Sequence, residues 1–333
     1  MATVTTYASE TLLELAKAQN NDDILSMAMV LARVNKMLQN ATQMESNNPN
    51  YHKSYISKVL PAGTVRIVNR GITKEIAAGA AQVDNVVVIE ARNELDELQI
   101  NQAGKNGAKY RAQKDECFIE GLGQTIAHQL VYGTTLITGE TTMAVDEIQG
   151  LSTRVISKTA ANAVDAGGSG GDTSSVWVIE WGVGKCYLVY PHGYTIGISK
   201  EDLGRLTVYD SATPPRAYMA WVSLFKGSIG LVVEDTRAIQ RICNVETAGT
   251  SNIITAEMII DAVNRLPNRG EGAYIYCNRT IAGYIEKAGL GTTAHPVVRS
   301  GEGNPWGSGR VKDFQGIPIQ MCEALVNTEV VLA

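Results

Sequence analysis

Residues 109–133 read KYRAQKDECFIEGLGQTIAHQLVYG, the longest run of the chain whose apolar residues keep a helical period without a proline. Phe118, Leu122, Ile126 and Leu130 recur at every fourth position, and Ile119 and Cys117 broaden the stripe, so the spacing predicts one long helix with a buried face. At ~1.5 Å per residue it would run roughly 35 Å, the width of a small domain, and so act as a spine. Gly121 and Gly123 each cost about 1 kcal/mol of helix propensity against alanine, which points to another backbone packed closely on this helix. Gly133 follows Tyr132 as a natural stop.

The remainder of the 333 residues is long enough for a large core and for two subdomains. A composition of 44% hydrophobic and 19% charged residues is that of a folded protein. No apolar run approaches the ~20 residues that span a bilayer, and MATVTTYASETLLELAK has no basic region ahead of a signal core, so an intracellular protein without a membrane partner is expected. The five cysteines, Cys117, Cys186, Cys243, Cys277 and Cys322, are scattered and never form a CxxC pair; buried thiols are expected rather than a disulfide framework or a zinc site. The formal charge of −5 comes without a basic run, so the counterion-release term that drives tight nucleic-acid binding is not evident in the sequence, while enclosure of nucleic acid is compatible with it.

Outward from the spine toward the amino terminus, residues 51–96 are rich in β-branched side chains. Tyr51 to Leu60 and Ala81 to Ile89 read as two strand arms of a long hairpin, an excursion that needs a partner surface to order it. Its middle, Val65 to Gly79, carries Arg66, Arg70, Lys74 and Glu75 on a small glycine-bounded tip, and charge there interrupts any continuous apolar face. Those four residues are candidates for contact between subunits. Before the polar break MESNNPN, residues 1–40 read as two helices, with Thr11 and Glu14 at capping-box spacing.

Beyond the spine, Thr134 to Ile148 reads as a Thr-rich loop and AANAVDAGGSGGDTSS as a flexible crossing. VWVIEW and KCYLVYP read as two strands of a hairpin turning at Gly182 to Gly184, residues 199–220 as irregular with a turn at Pro214 and Pro215, and Tyr218 to Val245 as further strands. Thr255 caps a helix that ends before Pro267; AYIYC is a strand, Arg279 to Ala288 a helix stopped by Gly289, and FQGIPIQMCEAL a final strand after a Gly-rich loop. This order is α+β.

Candidate chemistry is sparse. His52, His128, His192 and His295 stand far apart with no second ligand at metal spacing, and neither a GxSxG elbow nor a Walker loop occurs. Gly167, Gly168, Gly170 and Gly171 run into a strand, where a phosphate cradle needs a following helix, and Gly301, Gly303, Gly307 and Gly309 meet the same objection. Glu116 and Glu120, at i and i+4 on the spine, read as a solvated or intersubunit charged face rather than an acid and base pair. No catalytic residue, metal ligand or cofactor is expected.

KVLPAGTVRIVNRGI, DECFIEGLGQTIAHQLVYG, DAGGSGGDTSSVWVIEWG, YCNRTIAGYI and FQGIPIQMCEALVNTE, in this order and spacing, resemble the coat proteins of a podophage-type branch of the tailed-bacteriophage major capsid proteins. The resemblance covers most of the chain. It implies the coat fold shared with herpesvirus shells: an amino-terminal arm over 1–50, an extended loop over 51–107, a peripheral domain with the spine over 108–165 and 205–250, and an axial domain over 166–204 and 251–333. It also implies hexamers and pentamers of an icosahedral head in the virion, assembled in the host cytoplasm around double-stranded DNA, with scaffolding, cement and portal proteins as further partners. One departure is that the strands of Tyr218 to Val245, which close the peripheral domain, precede YCNRTIAGYI and FQGIPI, so the connectivity reads as permuted. Some relatives join subunits through a loop lysine; Lys53, Lys58 and Lys74 lie in the excursion, but no matching asparagine and acid is identified, and solvated lysines are expected. The alternative from another class is a soluble oligomeric α+β enzyme holding a phosphorylated ligand in a Gly-rich loop.

Overall fold

A computed structural model describes residues 36–59, 63–72, 74–76, 78–133, 147–192, 198–210, 213, 215–291 and 313–333. The chain opens with α1 (Lys36–Asn40), β1 (Gln43–Glu45), β2 (Tyr51–Val59), β3 (Ala78–Asp96), α2 (Glu97–Ala103) and the spine α3 (Gly107–Tyr132). It continues with α4 (Leu151–Arg154), β4 (Ala163–Asp165), β5 (Thr173–Glu180), β6 (Cys186–Tyr190), β7 (Ile198–Tyr209), β8 (Ala217–Val233) and β9 (Ile239–Glu246). Then come α5 (Ala256–Asn264), β10 (Ala273–Cys277), α6 (Arg279–Gly291), β11 (Asp313–Phe314) and β12 (Ile317–Met321). The amino-terminal helices expected over 1–40 lie outside the described residues except for α1.

Two sheets carry the fold. In the first, the order is β1, β6, β8, β3, β2, with β7 also paired to β8; in the second it is β11, β12, β10, β5, β9, β4. The spine lies on the first sheet, where Ile119, Leu122, Ile126 and Leu130 join Val87, Phe225 and Leu231 in one core, as their spacing predicts. The Phe118 ring, half-buried, stacks on Phe225 at 6.0 Å. The second sheet is buried on both faces. Trp177 and Ile179 of β5 enter the spine core, whereas Val176 and Val178 pack with Ile259 and Val263 of α5 and Ile281 and Ile285 of α6. Period-two alternation therefore feeds two cores from one strand. Helix α5 starts as its sequence predicts, with the Thr255 hydroxyl accepting from the Met258 N–H, and Asn278 Oδ1 accepts from the Ile281 N–H to cap α6.

Several expectations are corrected. VWVIEW and KCYLVYP form no hairpin: β5 and β6 belong to different sheets, and the chain changes sheet at Gly182 to Lys185, where Gly184 takes φ 77°. Residues 199–209 are not irregular but form β7, antiparallel to β8. Its mostly exposed polar side chains hide a strand that the backbone ladder of β8 holds in place. The glycine crossing contains β4, and a side chain at Gly168 would meet the Asn244 carbonyl at 2.3 Å, so it is packed rather than loose. FQGIPIQMCEAL begins as a tight hairpin, β11 and β12, with Gln315 and Gly316 both at positive φ (52° and 87°), as a two-residue turn requires. β6 and β7 both pair with β8 in the spine sheet, and β9 pairs beside β5 in the other.

Of the two spine glycines expected to meet a packed backbone, Gly121 departs from expectation, while Gly123 is buried. Nothing lies within 4 Å of a Cβ built on Gly121, so no backbone packs there, whereas a Cβ on Gly133 would come within 1.9 Å of the Ile148 carbonyl. Gly121→Ala is expected to stabilise the chain by about 0.5–1 kcal/mol through helix propensity, and Gly133→Ala to destabilise it by more than that, through the clash. Urea titrations of both variants check the opposite signs.

Candidate assembly surfaces

The hairpin formed by β2 and β3 runs from Tyr51 opposite Asn85 to Val59 opposite Ala78. Only its base is built into the body, because β3 pairs with β8 from Val86 to Asp96 and is unpaired on that side further out. Outward of the base, the Tyr55 ring lies over Gly79 within the arm itself. At the tip, Val65 (96%), Ile67 (60%), Val68 (85%), Ile72 (65%) and Ile76 (69%) are exposed, five large apolar side chains within twelve residues. Arg66, Arg70, Lys74 and Glu75 are exposed among them. Among the described residues, the hydrogen bonds of the tip stay inside it: Glu75 accepts from the Gly63 N–H at 2.9 Å, Arg66 donates to the Arg70 carbonyl, and the Arg70 N–H donates to the Ile67 carbonyl. A contiguous exposed apolar patch of this kind marks an interaction surface.

The hairpin base is anchored by a polar relay. The Asn47 N–H points at His52 Nδ1 (3.4 Å), His52 Nε2 lies 3.1 Å from the Tyr187 hydroxyl, and that hydroxyl donates to Glu234 at 2.8 Å. Beside it, Arg154 and Asp84 form a buried ion pair at 2.8 Å, and the same guanidinium donates to the Leu231 carbonyl. Burial holds His52 below the ordinary imidazole value of 6.5, outweighing the opposite pull of the Asp84 and Glu234 carboxylates.

The spine places Glu120 exposed and Glu116 half-buried on one face, as their i, i+4 spacing predicts. Glu120, Gln124 and His128 form one wall of an open cleft, whose other wall is Glu147, Glu323 and Val326. His128 is exposed, with its ring 5.1 Å from that of Tyr132, which fits the helix-surface reading. His192 is exposed beside Glu45 at 2.9 Å, and His295 lies outside the described residues. Among the described residues no group of three His, Cys, Asp or Glu side chains could hold a metal ion. Gly167 to Gly171 precede β5, with no helix to complete a phosphate cradle, and the second glycine loop lies outside the described residues. No helix among them is long and apolar enough to cross a membrane.

Four of the five thiols are buried, whereas Cys117, expected in the apolar stripe, is exposed. Burial pushes Cys186 and Cys277 up to about 12 and Cys243 up to about 11, so they stay protonated and unreactive. Besides the Arg154–Asp84 pair, the sequence reading missed two further buried ion pairs. Asp115 on the spine meets Lys200 of β7 at 3.1 Å and accepts from Asn93 at 2.6 Å. Its position four residues before Ile119, in the apolar stripe, was a usable signal. Arg241 of β9 meets Glu329 at 2.9 Å, and nothing in the spacing of these two residues announces it.

The His52 relay gives a signed expectation. Its folded pKa is lowered, so the unfolded chain binds the extra proton first, and this contribution to stability is present above about pH 6.5 and is lost as pH falls from there toward the folded value. The urea midpoint of the chain is expected to drop between pH 7 and 5, and to drop less in His52→Gln. An equal drop in both would place the pH dependence elsewhere.

A family model described as major capsid protein GP7 matches residues 19–333. No curated protein matches the sequence. Among solved structures, that of bacteriophage epsilon15 superposes with a TM-score of 0.63 at 22% identity, covering 88% of each chain. The capsid of bacteriophage JBD30 aligns over 85% of this chain and 88% of its own, at 10% identity and a TM-score of 0.47. The two-sheet body, the long spine and the projecting hairpin are thus those of a phage capsid fold, and with its family matched over nearly its whole length the chain belongs to the major capsid protein GP7 family, the coat proteins that form the icosahedral head.

Proposed function

We propose that copies of this chain assemble as hexamers and pentamers around packaged double-stranded DNA, with the β2–β3 hairpin as a clasp between neighbouring subunits. The observation that carries the clasp is the tip itself, five exposed large apolar side chains on an arm whose own hydrogen bonds are internal. Many modest contacts of this kind sum to a closed shell. The spine sheet serves as the peripheral domain and the sheet under α5 and α6 as the axial domain, with residues 186–209 moved to the first and 239–246 to the second. Assembly takes place in the host cytoplasm, and scaffolding, cement and portal proteins are the further partners. The protein holds DNA by enclosure rather than by sequence recognition, and its role is structural, not enzymatic. A phosphate-binding enzyme gains no support from the glycine run ahead of β5.

Replacing residues 62–80 with a short Asn-Gly turn tests the clasp. The shortened chain is expected to keep cooperative melting by circular dichroism, because the spine and both cores lie outside the deletion, and to form no shells in electron micrographs. Loss of cooperative melting would put the tip inside the fold, and normal shells would make it dispensable.

A further inference from the structure

A lysine, an aspartate and an asparagine meet between the spine and its sheet. The Lys200 side chain of β7 is 2% exposed and that of Asp115 on the spine 0%, with Nζ and Oδ2 3.1 Å apart. Asn93 of β3, also buried, donates from Nδ2 to the other oxygen of the same carboxylate, Oδ1, at 2.6 Å. The ladders bring them together. Asn93 pairs with Ser223 of β8, Ser223 pairs with Asp202 of β7, and Lys200 lies two residues along β7 on the same face. Amine and amide therefore reach one carboxylate from either side of β8, over a buried residue that is a small serine. Asp202, the next acid along β7, faces Arg111 at 3.6 Å instead. Burying both charges of an ion pair usually costs about what their attraction returns, so a pair this dry calls for a reason beyond stability.

We infer that Lys200 and Asn93 join in an isopeptide bond within the one chain, with Asp115 as the proton carrier. Nζ passes a proton to Asp115 Oδ2 across their contact, and the neutral amine attacks Asn93 Cγ. In a site without water, a first step that turns two charges into none is favoured. As the Nζ–Cγ bond forms, the carboxyl gives its proton to Nδ2 and takes a second one from Nζ. The Cγ–Nδ2 bond then breaks, and ammonia leaves with the carboxyl proton as ammonium, which restores the Asp115 carboxylate. The reaction consumes no other reactant. Three packed elements hold the reacting groups in place, and that placement supplies the effective concentration. The product ties β3, whose outer half carries the hairpin, to β7 across β8. It closes a loop of roughly 100 residues and constrains the unfolded chain as a disulfide would, in a protein whose cysteines are free. The bond does not depend on whether the hairpin is a clasp.

The intact mass of the denatured full chain tests it. Allowing for removal of the first methionine, the wild type is expected to weigh about 17 Da less than its sequence, the mass of the ammonia lost. A protease digest is expected to yield two peptides joined through Asn93 and Lys200. Lys200→Arg and Asn93→Ala, both of which keep a cation beside Asp115, are expected to show the full mass of their sequences while melting cooperatively by circular dichroism. Asp115→Asn is expected to stay unlinked, and Asp115→Glu, which keeps the carboxyl, to link. A wild type at full sequence mass would overturn the bond, as would the same loss without a joined peptide, which is the mark of a cyclised asparagine. A joined peptide that carries Asp115 in place of Asn93, with about 18 Da lost as water, would overturn the choice of partner. A linked Asp115→Asn chain, or a folded but unlinked Asp115→Glu chain, would overturn the role of Asp115.

Discussion

Everything in this subunit depends on a strand that has to bury both of its faces at once. Along β5, Trp177 and Ile179 fill the core under the spine, and Val176 and Val178 fill the core under α5 and α6. A charged network locks that strand in place. Arg241 donates to Ser175 at 2.9 Å and to the Val155 carbonyl at 3.0 Å, and its guanidinium lies 5.2 Å from the Trp177 ring centre. It also pairs with Glu329, which accepts from Tyr132 at the end of the spine and from Ser175. Both members of the pair are 6% exposed, so losing either would leave a charge stranded in a low dielectric, at about 3–5 kcal/mol. The spine, β5, β9 and the carboxy-terminal segment are thereby fastened at a single point.

That fastening divides the molecule into a body and an arm. The spine is pinned at its other end as well, by Asp115 against Lys200 and Asn93, and the long β3–β8 ladder ties the hairpin base to the same sheet. Just beyond that ladder Asp84 and His52 are still buried against the body, whereas the described tip residues 63–72 and 74–76 are all exposed, and the apolar tip is left facing outward. A rigid body with one outreaching apolar and basic segment is suited to lattice building, because the segment gains its burial from a neighbour rather than from its own core.

The sequence made the regular, amphipathic elements legible. The spine, the hairpin arms, the Thr255 cap and the β10 strand all follow from period and capping, because each buries a stripe or face written in consecutive residues. What it concealed depends on distant partners. Strand β7 looks like loop because its side chains are mostly polar and exposed, and its identity comes from the β8 backbone. The change of sheet after Trp181 was hidden because two apolar strands joined by glycines fit a hairpin equally well. Arg241 and Glu329 are 88 residues apart, and no local pattern foretells their meeting. The tip candidates Arg66, Arg70 and Lys74 were visible as charge on a glycine-bounded segment, whereas the cleft that faces Glu120 took the fold to assemble.

Hydrogen exchange of the free subunit compared with assembled shells bears most directly on the account. Amides of residues 63–76 and of the spine around Glu120 are expected to differ sharply in the free chain, fast in the tip and slow in the helix. Assembly is expected to slow the tip by at least tenfold and leave the two cores as they were. A tip that exchanges as fast in shells as in free subunits would contradict the claim that this arm is ordered by a neighbouring copy.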